Sequence, residues 1–172
     1  FLRGELSLPA LADPGYYRLE VEQPGGDTQP QAAMSLIVTP ASCFQPDAIK
    51  GENRVWGPTV QLYGLRSRHN WGIGDFGDLR CLIDQTADAG GGVIGVNPLH
   101  ALFPDDPSRI SPYSPSSRDF VNILYLEVEA VPEFAECEAA RHLVASDRFQ
   151  ARLRRLRTSD EVAYIDVAGA KR

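Results

Sequence analysis

Apolar and polar side chains alternate with a period of two through much of the first forty residues. The alternation is clear in residues 2–8 and 17–21, and residues 33–38 form a third β-like segment. With glycine, proline and aspartate turns between the segments, this pattern is typical of antiparallel strands that have one solvated face. Three strands enclose only a thin core, so we predict that residues 1–40 are the C-terminal part of a larger β domain.

After this region the pattern changes to that of an α/β protein. Residues 41–58 have no regular period and contain several glycines and prolines, which predicts a linker. Residues 59–65 and 93–96 are short, mostly apolar runs, as expected of parallel strands buried on both faces. Between them, residues 76–87 place apolar side chains at three- and four-residue intervals, which predicts an amphipathic helix. Strand, helix and strand together predict a βαβ unit with a right-handed crossover.

Both ends of this predicted helix carry terminal signals. Asp75 or Asp78 stands where a carboxylate caps or stabilises a helix N-terminus, and three glycines at 90–92 provide the stop. A second helical region is predicted at 133–157, and its last turns are rich in arginine. We interpret that basic cluster as a solvated helix face stabilised by the helix dipole, rather than as a phosphate site.

Composition excludes several classes of protein. The 172 residues are 43% hydrophobic and 23% charged, as in a soluble globular protein, and the net charge of -6 disfavours nucleic acid. No apolar run approaches the roughly 20 residues that span a bilayer, and no N-terminal signal pattern is visible. The three cysteines lack metal-ligand spacing, so we predict free thiols, no metal and a cytoplasmic protein. The start without methionine predicts a piece of a longer protein.

One glycine motif offers a competing interpretation. Residues 72–77 match G-x-G-x-x-G between a predicted strand and a predicted helix, which is the context of a dinucleotide-binding fingerprint. However, six residues separate the strand from Gly72, and Asp75 would place a carboxylate beside a bound pyrophosphate. The second strand also ends in Asn97 and Pro98, without an acidic residue for a ribose. A glycine-rich turn before a helix is therefore the preferred interpretation.

The loops after the two predicted strands carry side chains suited to a sugar. Ligands of parallel α/β proteins bind at the carboxyl ends of strands, and sugars offer hydroxyls to polar groups and C–H faces to aromatic rings. The candidate substrate-binding residues are Trp71, Asn97, Ser111 and Tyr113. Tyr113 lies between two Ser-Pro pairs, whose restricted backbone reduces the entropy lost on binding. Trp71 could equally cover the start of the helix.

The remaining titratable residues of these loops do not define a catalytic pair. They are interpreted as exposed, turn-forming or structural: His69, His100, Asp105, Asp106 and Asp119. Glycosidic cleavage needs two carboxylates at a fixed separation, and the sequence positions no such pair. No catalytic residue is therefore assigned.

Several long and uncommon strings occur between residues 59 and 134. They are QLYGLRS at 61–67, NWGIGDFGDL at 70–79, NPLHALFP at 97–104, SPYSPSSR at 111–118 and EAVPEF at 129–134. Together they resemble the 4-α-glucanotransferases, the family of amylomaltase and disproportionating enzyme. The strings GYYRL at 15–19 and LIVTP at 36–40 resemble the end of the β-sandwich domain that precedes the barrel in bacterial long-form members.

The resemblance implies a fold and an activity. The fold would be a (β/α)8 TIM barrel, with its first strands and helices in residues 59–172 and the tail of a β-sandwich domain before it. The activity would be retaining transfer of α-1,4-glucan segments between maltooligosaccharides through a covalent glycosyl-enzyme, without a cofactor. The family's catalytic carboxylates would lie on strands after residue 172. Ser111 and Tyr113 match family positions that line the donor-sugar site.

Two other functions remain as alternatives. A non-catalytic α-glucan-binding module would use Tyr113 and Trp71 as stacking platforms, and a dinucleotide-binding protein would use residues 72–77. Because an incomplete barrel exposes apolar faces and an unpaired sheet edge, we also expect self-association.

Overall fold

A computed structural model describes residues 7–9, 11, 13–21 and 32–172. The chain divides into two compact units, Phe1–Asn53 and Arg54–Arg172. No helix within the described ranges is long and apolar enough to cross a membrane.

The described part of the first unit is built around one antiparallel strand pair. Strand β1 (Gly15–Val21) pairs with β2 (Ala32–Val38), with Gly15 opposite Val38 at one end of the ladder. These two strands confirm the β-like segments predicted at 17–21 and 33–38. The segment predicted at 2–8 lies largely outside the described residues. A short 3-10 helix at Asp47–Ile49 follows.

The second unit begins with the predicted βαβ arrangement. Strand β3 (Thr59–Val60) pairs in parallel with β4 (Gly95–Val96), and helix α1 (Phe76–Asp88) connects them. The prediction of a parallel pair is confirmed, but both strands are shorter than predicted. The first strand ends early because the chain turns into a 3-10 helix at Leu62–Gly64.

Helix α1 begins and ends at the predicted signals. The Asp75 carboxylate accepts hydrogen bonds from the backbone N–H groups of Gly77 and Asp78, and the Asp78 carboxylate accepts one from the N–H of Asp75. Both candidate carboxylates therefore cap the helix, in a reciprocal box. At the other end Gly90 has φ of 78°, a left-handed conformation that glycine adopts without steric cost.

The helical region predicted at 133–157 is confirmed, but it is divided into separate helices. The region forms three helices, α2 (Pro132–Glu136), α3 (Glu138–Ala145) and α4 (Asp147–Arg157). The backbone is extended at Cys137 and Ser146, and the Ser146 hydroxyl accepts a hydrogen bond from the N–H of Phe149. A serine in that position starts a new helix by satisfying a free N–H group. A further helix, α5 (Tyr164–Lys171), follows.

The proline-rich segment after β4 is closed by a strand pair that the sequence did not predict. Strand β5 (His100–Ala101) pairs antiparallel with β6 (Ser117–Val121), with an irregularity in the register. Two more 3-10 helices follow, at Ile123–Tyr125 and Val128–Ala130. The segment is thus a loop whose two ends are hydrogen-bonded to each other.

The core of the second unit has two apolar clusters. The larger joins the 3-10 helices to α4 and α5 through Leu62, Ile73, Leu124, Tyr125, Leu156, Val167 and Ala168. The smaller joins the loop after β3 to α3 and α4 through Trp71, Val144, Phe149 and Leu153. Helices α4 and α5 therefore cover the segments that follow the two parallel strands.

The arginine cluster of α4 is less solvated than predicted. Arg157 Nε donates to the carbonyl oxygen of Asn70 at 2.6 Å, and an Arg152 guanidinium nitrogen donates to the carbonyl oxygen of Asp166 at 2.6 Å. Arg155 forms an exposed ion pair with the Asp166 carboxylate at 3.0 Å. The interpretation as a solvated face is therefore wrong for Arg152 and Arg157, which connect α4 to neighbouring segments, but it holds for the exposed Arg155.

Candidate functional site

A hollow opens where the two parallel strands end. We call it the strand-end hollow. It is lined by the ends of β3 and β4, by residues that follow each strand and by Tyr113: Thr59, Val60, Gln61, Gly64, Leu65, Val96, Asn97, Pro98 and Tyr113. The hollow mixes amide, hydroxyl and aromatic groups with apolar side chains. This lining suits a ligand that has both hydroxyls and apolar faces.

Tyr113 presents its ring at this hollow. The side chain is 71% exposed, although it belongs to a loop with prolines on both sides. The N–H of Ser114 donates to the carbonyl oxygen of Ser111 at 3.2 Å, so the ring is carried by a tight turn. A stiff turn with an exposed ring loses little conformational freedom when a ligand stacks on it.

Ser111 lies on the same turn but borders a neighbouring hollow. That second hollow includes Tyr63, Arg66 and Tyr164, and Gly64 lines both hollows. Burial raises the pKa of Tyr164 to about 12, so its phenol keeps its proton at neutral pH. The turn of residues 111–114 therefore contributes Tyr113 to one hollow and Ser111 to the other.

Asn97 is at the strand-end hollow but is 7% exposed. Its Oδ1 accepts a hydrogen bond from the N–H of Leu62 at 2.7 Å. Its Nδ2 donates to the carbonyl oxygen of Pro98 at 2.8 Å and to the hydroxyl of Tyr125 at 3.0 Å. These partners are all protein groups, so this side chain holds segments of the fold together.

Trp71 is 4% exposed and packs edge-on against Phe149, with ring centroids 5.1 Å apart. Its indole Nε1 donates to a carboxylate oxygen of Glu129 at 3.2 Å. The ring is not presented at the strand-end hollow. Of the four predicted substrate-binding residues, the structure places Asn97, Ser111 and Tyr113 around adjacent hollows and Trp71 in the core.

The glycine motif at 72–77 is explained by close packing. A Cβ at Gly72, whose φ is 87°, would lie 2.5 Å from Leu156 Cβ, and a Cβ at Gly74 would lie 1.9 Å from the carbonyl oxygen of Leu62. The N–H groups at the start of α1 are already bonded to the Asp75 carboxylate. A pyrophosphate would have to displace that carboxylate, so the geometry does not favour a dinucleotide.

A lysine with a buried side chain was missed by the sequence reasoning. Lys171 Nζ donates to the carbonyl oxygens of Leu124 and Leu126 at 2.8 and 2.6 Å, and lies 3.7 Å from Asp75 Oδ2. Burial lowers the pKa of Lys171 to about 8, against the opposing effect of Asp75. Burial likewise raises the pKa of Asp75, and Lys171 opposes that shift. A lysine in the last turn of a helix gave no sequence signal for such burial.

Among the residues that the structure describes, no group of three or more His, Cys, Asp or Glu side chains could hold a metal ion. The predicted residues that the structure places at the two hollows are Asn97, Ser111 and Tyr113, and of the three only Tyr113 is among the exposed large side chains.

The fold and these hollows define an α/β unit with a candidate small-ligand site at the carboxyl ends of parallel strands. A protein-family model for 4-alpha-glucanotransferase matches residues 60–172. The chain therefore belongs to the 4-alpha-glucanotransferase family, as its sequence strings predicted.

Individual relatives agree with this assignment. The 4-alpha-glucanotransferase of Haemophilus influenzae is 44% identical over 166 residues, covering 96% of this chain and 23% of the relative. That of Mycobacterium tuberculosis is 43% identical over 177 residues, covering 95% of this chain and 22% of the relative. The chain thus spans less than a quarter of the length of these relatives.

A solved structure gives the same result at the level of fold. The crystal structure of amylomaltase from Corynebacterium glutamicum matches with a TM-score of 0.58 and 37% sequence identity. The match covers 67% of this chain and 16% of the amylomaltase chain. The mixed α/β architecture of the second unit is therefore that of the family.

Proposed function

We propose that this chain is part of a 4-α-glucanotransferase that transfers α-1,4-glucan segments between maltooligosaccharides. The reaction would proceed with retention, through a covalent glycosyl-enzyme intermediate. The observation that carries the proposal is the exposed ring of Tyr113, held by a tight turn at the strand-end hollow in a chain of this family. In this proposal the chain binds the donor sugar, and the catalytic carboxylates belong to barrel strands after residue 172.

The chemistry of the hollow supports a sugar as its ligand. A tyrosine ring offers an apolar face for the C–H groups of a glucose unit, and its position at the rim leaves that face accessible. The Gln61 amide in the strand-end hollow and the Ser111 hydroxyl in the neighbouring hollow offer donors and acceptors for sugar hydroxyls. Ser111 and Tyr113 are therefore proposed as donor-sugar contacts. For Trp71 the proposed role is indirect, because its ring packs in the core.

The architecture proposed for the whole protein extends the observed unit. Residues 59–172 would form the first strands and helices of a (β/α)8 barrel, residues 41–58 a linker, and residues 1–40 the end of a β-sandwich domain. Support comes from the parallel pair of β3 and β4 joined by α1, which is the repeating element of such a barrel. The proposed location is the cytoplasm, with no nucleic-acid or membrane partner.

Maltotriose provides the test of the activity. The full-length protein should convert it into glucose and longer glucans, as separated by chromatography. Tyr113→Ala should lower kcat/KM about tenfold, since a stacking contact of about 1.4 kcal/mol is lost. Tyr16→Ala is the matched control, because Tyr16 is also an exposed tyrosine, at 89%, and lies in the other unit. No disproportionation by the wild type would contradict the proposed function.

The same ring could serve a protein that only binds glucan. Calorimetric titration with maltooligosaccharides separates the two functions: binding that depends on Tyr113, without any transfer of glucan, would favour a non-catalytic binding module. Binding together with transfer favours the enzyme.

A further inference from the structure

Asn97 joins the ends of the two parallel strands. It directly follows β4, and its Oδ1 accepts from the N–H of Leu62, which lies two residues beyond the end of β3, at 2.7 Å. The backbone ladder between the strands stops at Val60 and Val96. One side-chain amide therefore continues the connection where the backbone pairing ends, and it does so beside the strand-end hollow.

The same amide also fixes the far end of the loop that carries Tyr113. Its Nδ2 donates to the hydroxyl of Tyr125, a buried residue of the 3-10 helix at Ile123–Tyr125. Asn122 caps that helix by accepting from the N–H of Leu124 at 3.0 Å. The N–H of Asn122 donates to the carbonyl oxygen of Leu99 at 2.9 Å. The start and the end of the loop thus converge on one buried group.

The hydrogen-bonding capacity of Asn97 leaves no donor for a sugar. The second proton of Nδ2 is bonded to the carbonyl oxygen of Pro98, so both amide protons have protein partners. Donating a hydrogen bond to glucan would require one of these bonds to break in a buried position, which is costly. This argues against the role in substrate binding that the sequence alone suggested for Asn97.

We propose that Asn97 is a positioning residue, which holds the loop of Tyr113 over the strand-end hollow through Leu62, Pro98 and Tyr125 and does not itself contact the glucan. The proposal rests on the proposed function, because its effect is read through the use of the donor sugar. Under this proposal Asn97 and Tyr125 affect glucan binding only through the position of Tyr113, and neither of them contacts the substrate.

A double-mutant cycle on the full-length enzyme tests this coupling. Asn97→Leu has a similar volume and removes all three hydrogen bonds, and Tyr113→Ala removes the ring. In the wild type, loss of the ring should lower kcat/KM for maltotriose about tenfold, but in the Asn97→Leu background only about twofold. The Asn97→Leu change should raise KM about tenfold and alter kcat less than about twofold, because the ring binds sugar and takes no part in bond breaking.

A milder variant covers the case in which Asn97→Leu does not fold. Tyr125→Phe removes one hydrogen bond from Asn97 and should raise KM about threefold, with the Tyr113→Ala loss reduced in that background. Tyr17→Phe is the control, since it removes a tyrosine hydrogen bond, to the carbonyl oxygen of Asp13, in the other unit. If the wild type transfers glucan and the full tenfold loss persists in both backgrounds, the positioning role is wrong while the function stands. A wild type without activity overturns both.

Discussion

The buried pair of Lys171 and Asp75 predicts a stability difference that depends on pH. The perturbation is Asp75→Asn, which removes the carboxylate charge but keeps a side-chain oxygen for the N–H groups of Gly77 and Asp78. Asparagine and aspartate are comparable helix caps, so capping is retained. What changes is the environment of the Lys171 ammonium, which is 3% exposed and loses its buried counter-charge.

The magnitude follows from the pKa of Lys171, which burial lowers to about 8 from 10.5. Because pH 6 lies about two units below this pKa, the ammonium form of Lys171 is favoured over the amine by about 3 kcal/mol at that pH. Near pH 7 the preference is about 1 kcal/mol. Removing the counter-charge cannot cost more than this preference, because Lys171 can release its proton instead. Near pH 9 the native lysine is already mostly neutral, and the cost disappears.

The sign follows from proton linkage. Since the folded pKa of Lys171 is below the unfolded value, the unfolded chain binds more protons between pH 8 and 10.5, and this group adds stability as pH rises through that window. In the variant the pKa of Lys171 falls further, so the rise in stability with pH begins at a lower pH. The variant should therefore lose the most stability near pH 6 and approach a constant difference from the wild type near pH 9.

Urea unfolding of both proteins, followed by far-ultraviolet circular dichroism at pH 6, 7 and 9, measures this difference. We expect the loss of unfolding free energy to shrink by up to about 3 kcal/mol between pH 6 and pH 9. Asp166→Asn is the control, because its partner Arg155 is exposed and stays charged throughout. A loss for Asp75→Asn that is the same at all three pH values would show that the two charges are not coupled.

Two further predictions concern packing and are checked by urea unfolding. Gly74→Ala should destabilise the protein by about 3 kcal/mol, because the new Cβ would lie 1.9 Å from the carbonyl oxygen of Leu62. Gly64→Ala, with open space around its Cβ, should change stability by less than about 1 kcal/mol, and equal effects would contradict the packing argument. Leu153→Ala should cost about 3 to 5 kcal/mol because Leu153 is buried, and exposed Leu143→Ala should cost far less.

The βαβ unit could be predicted because local and tertiary signals agree there. The apolar stripe of α1, the carboxylates before it and the left-handed Gly90 all specify the same helix. Strand length was overestimated because an apolar run does not show where its pairing ends. The early turn after β3 depends on Asn97, a residue 35 positions away from Leu62, and no local pattern records that contact.

The divisions within the helical region have a different origin. Residues 133–157 lack an internal glycine or proline, so helix propensity alone predicts no break within them. Ser146, followed by Asp147, was a readable start signal for α4. The break at Cys137 had no comparable signal. Strands β5 and β6 were missed because the residues between them are rich in proline and conceal a pairing that spans them.

The candidate site was predictable in residue type but not in role. Sequence chemistry identified Trp71, Asn97 and Tyr113 as side chains suited to a sugar, and only the structure separates the exposed ring from the two buried groups. Tryptophan and asparagine can serve either purpose, because both have an apolar or planar body and a polar end. Burial decides between these uses, and both side chains pack or bond with groups distant in sequence: Trp71 with Phe149 of α4, and Asn97 with Leu62 and Tyr125.

The bonds from Arg157 to the carbonyl oxygens of Asn70 and His69 also order events in time. They connect residues that are 87 and 88 positions apart. On a ribosome that adds about 5 to 20 residues per second, the strands and helix of residues 59–96 emerge several seconds before α4 does. During that interval the carbonyl oxygens of His69 and Asn70 lack the Arg157 guanidinium. The speed of translation therefore sets the delay before this loop can form all of its native hydrogen bonds.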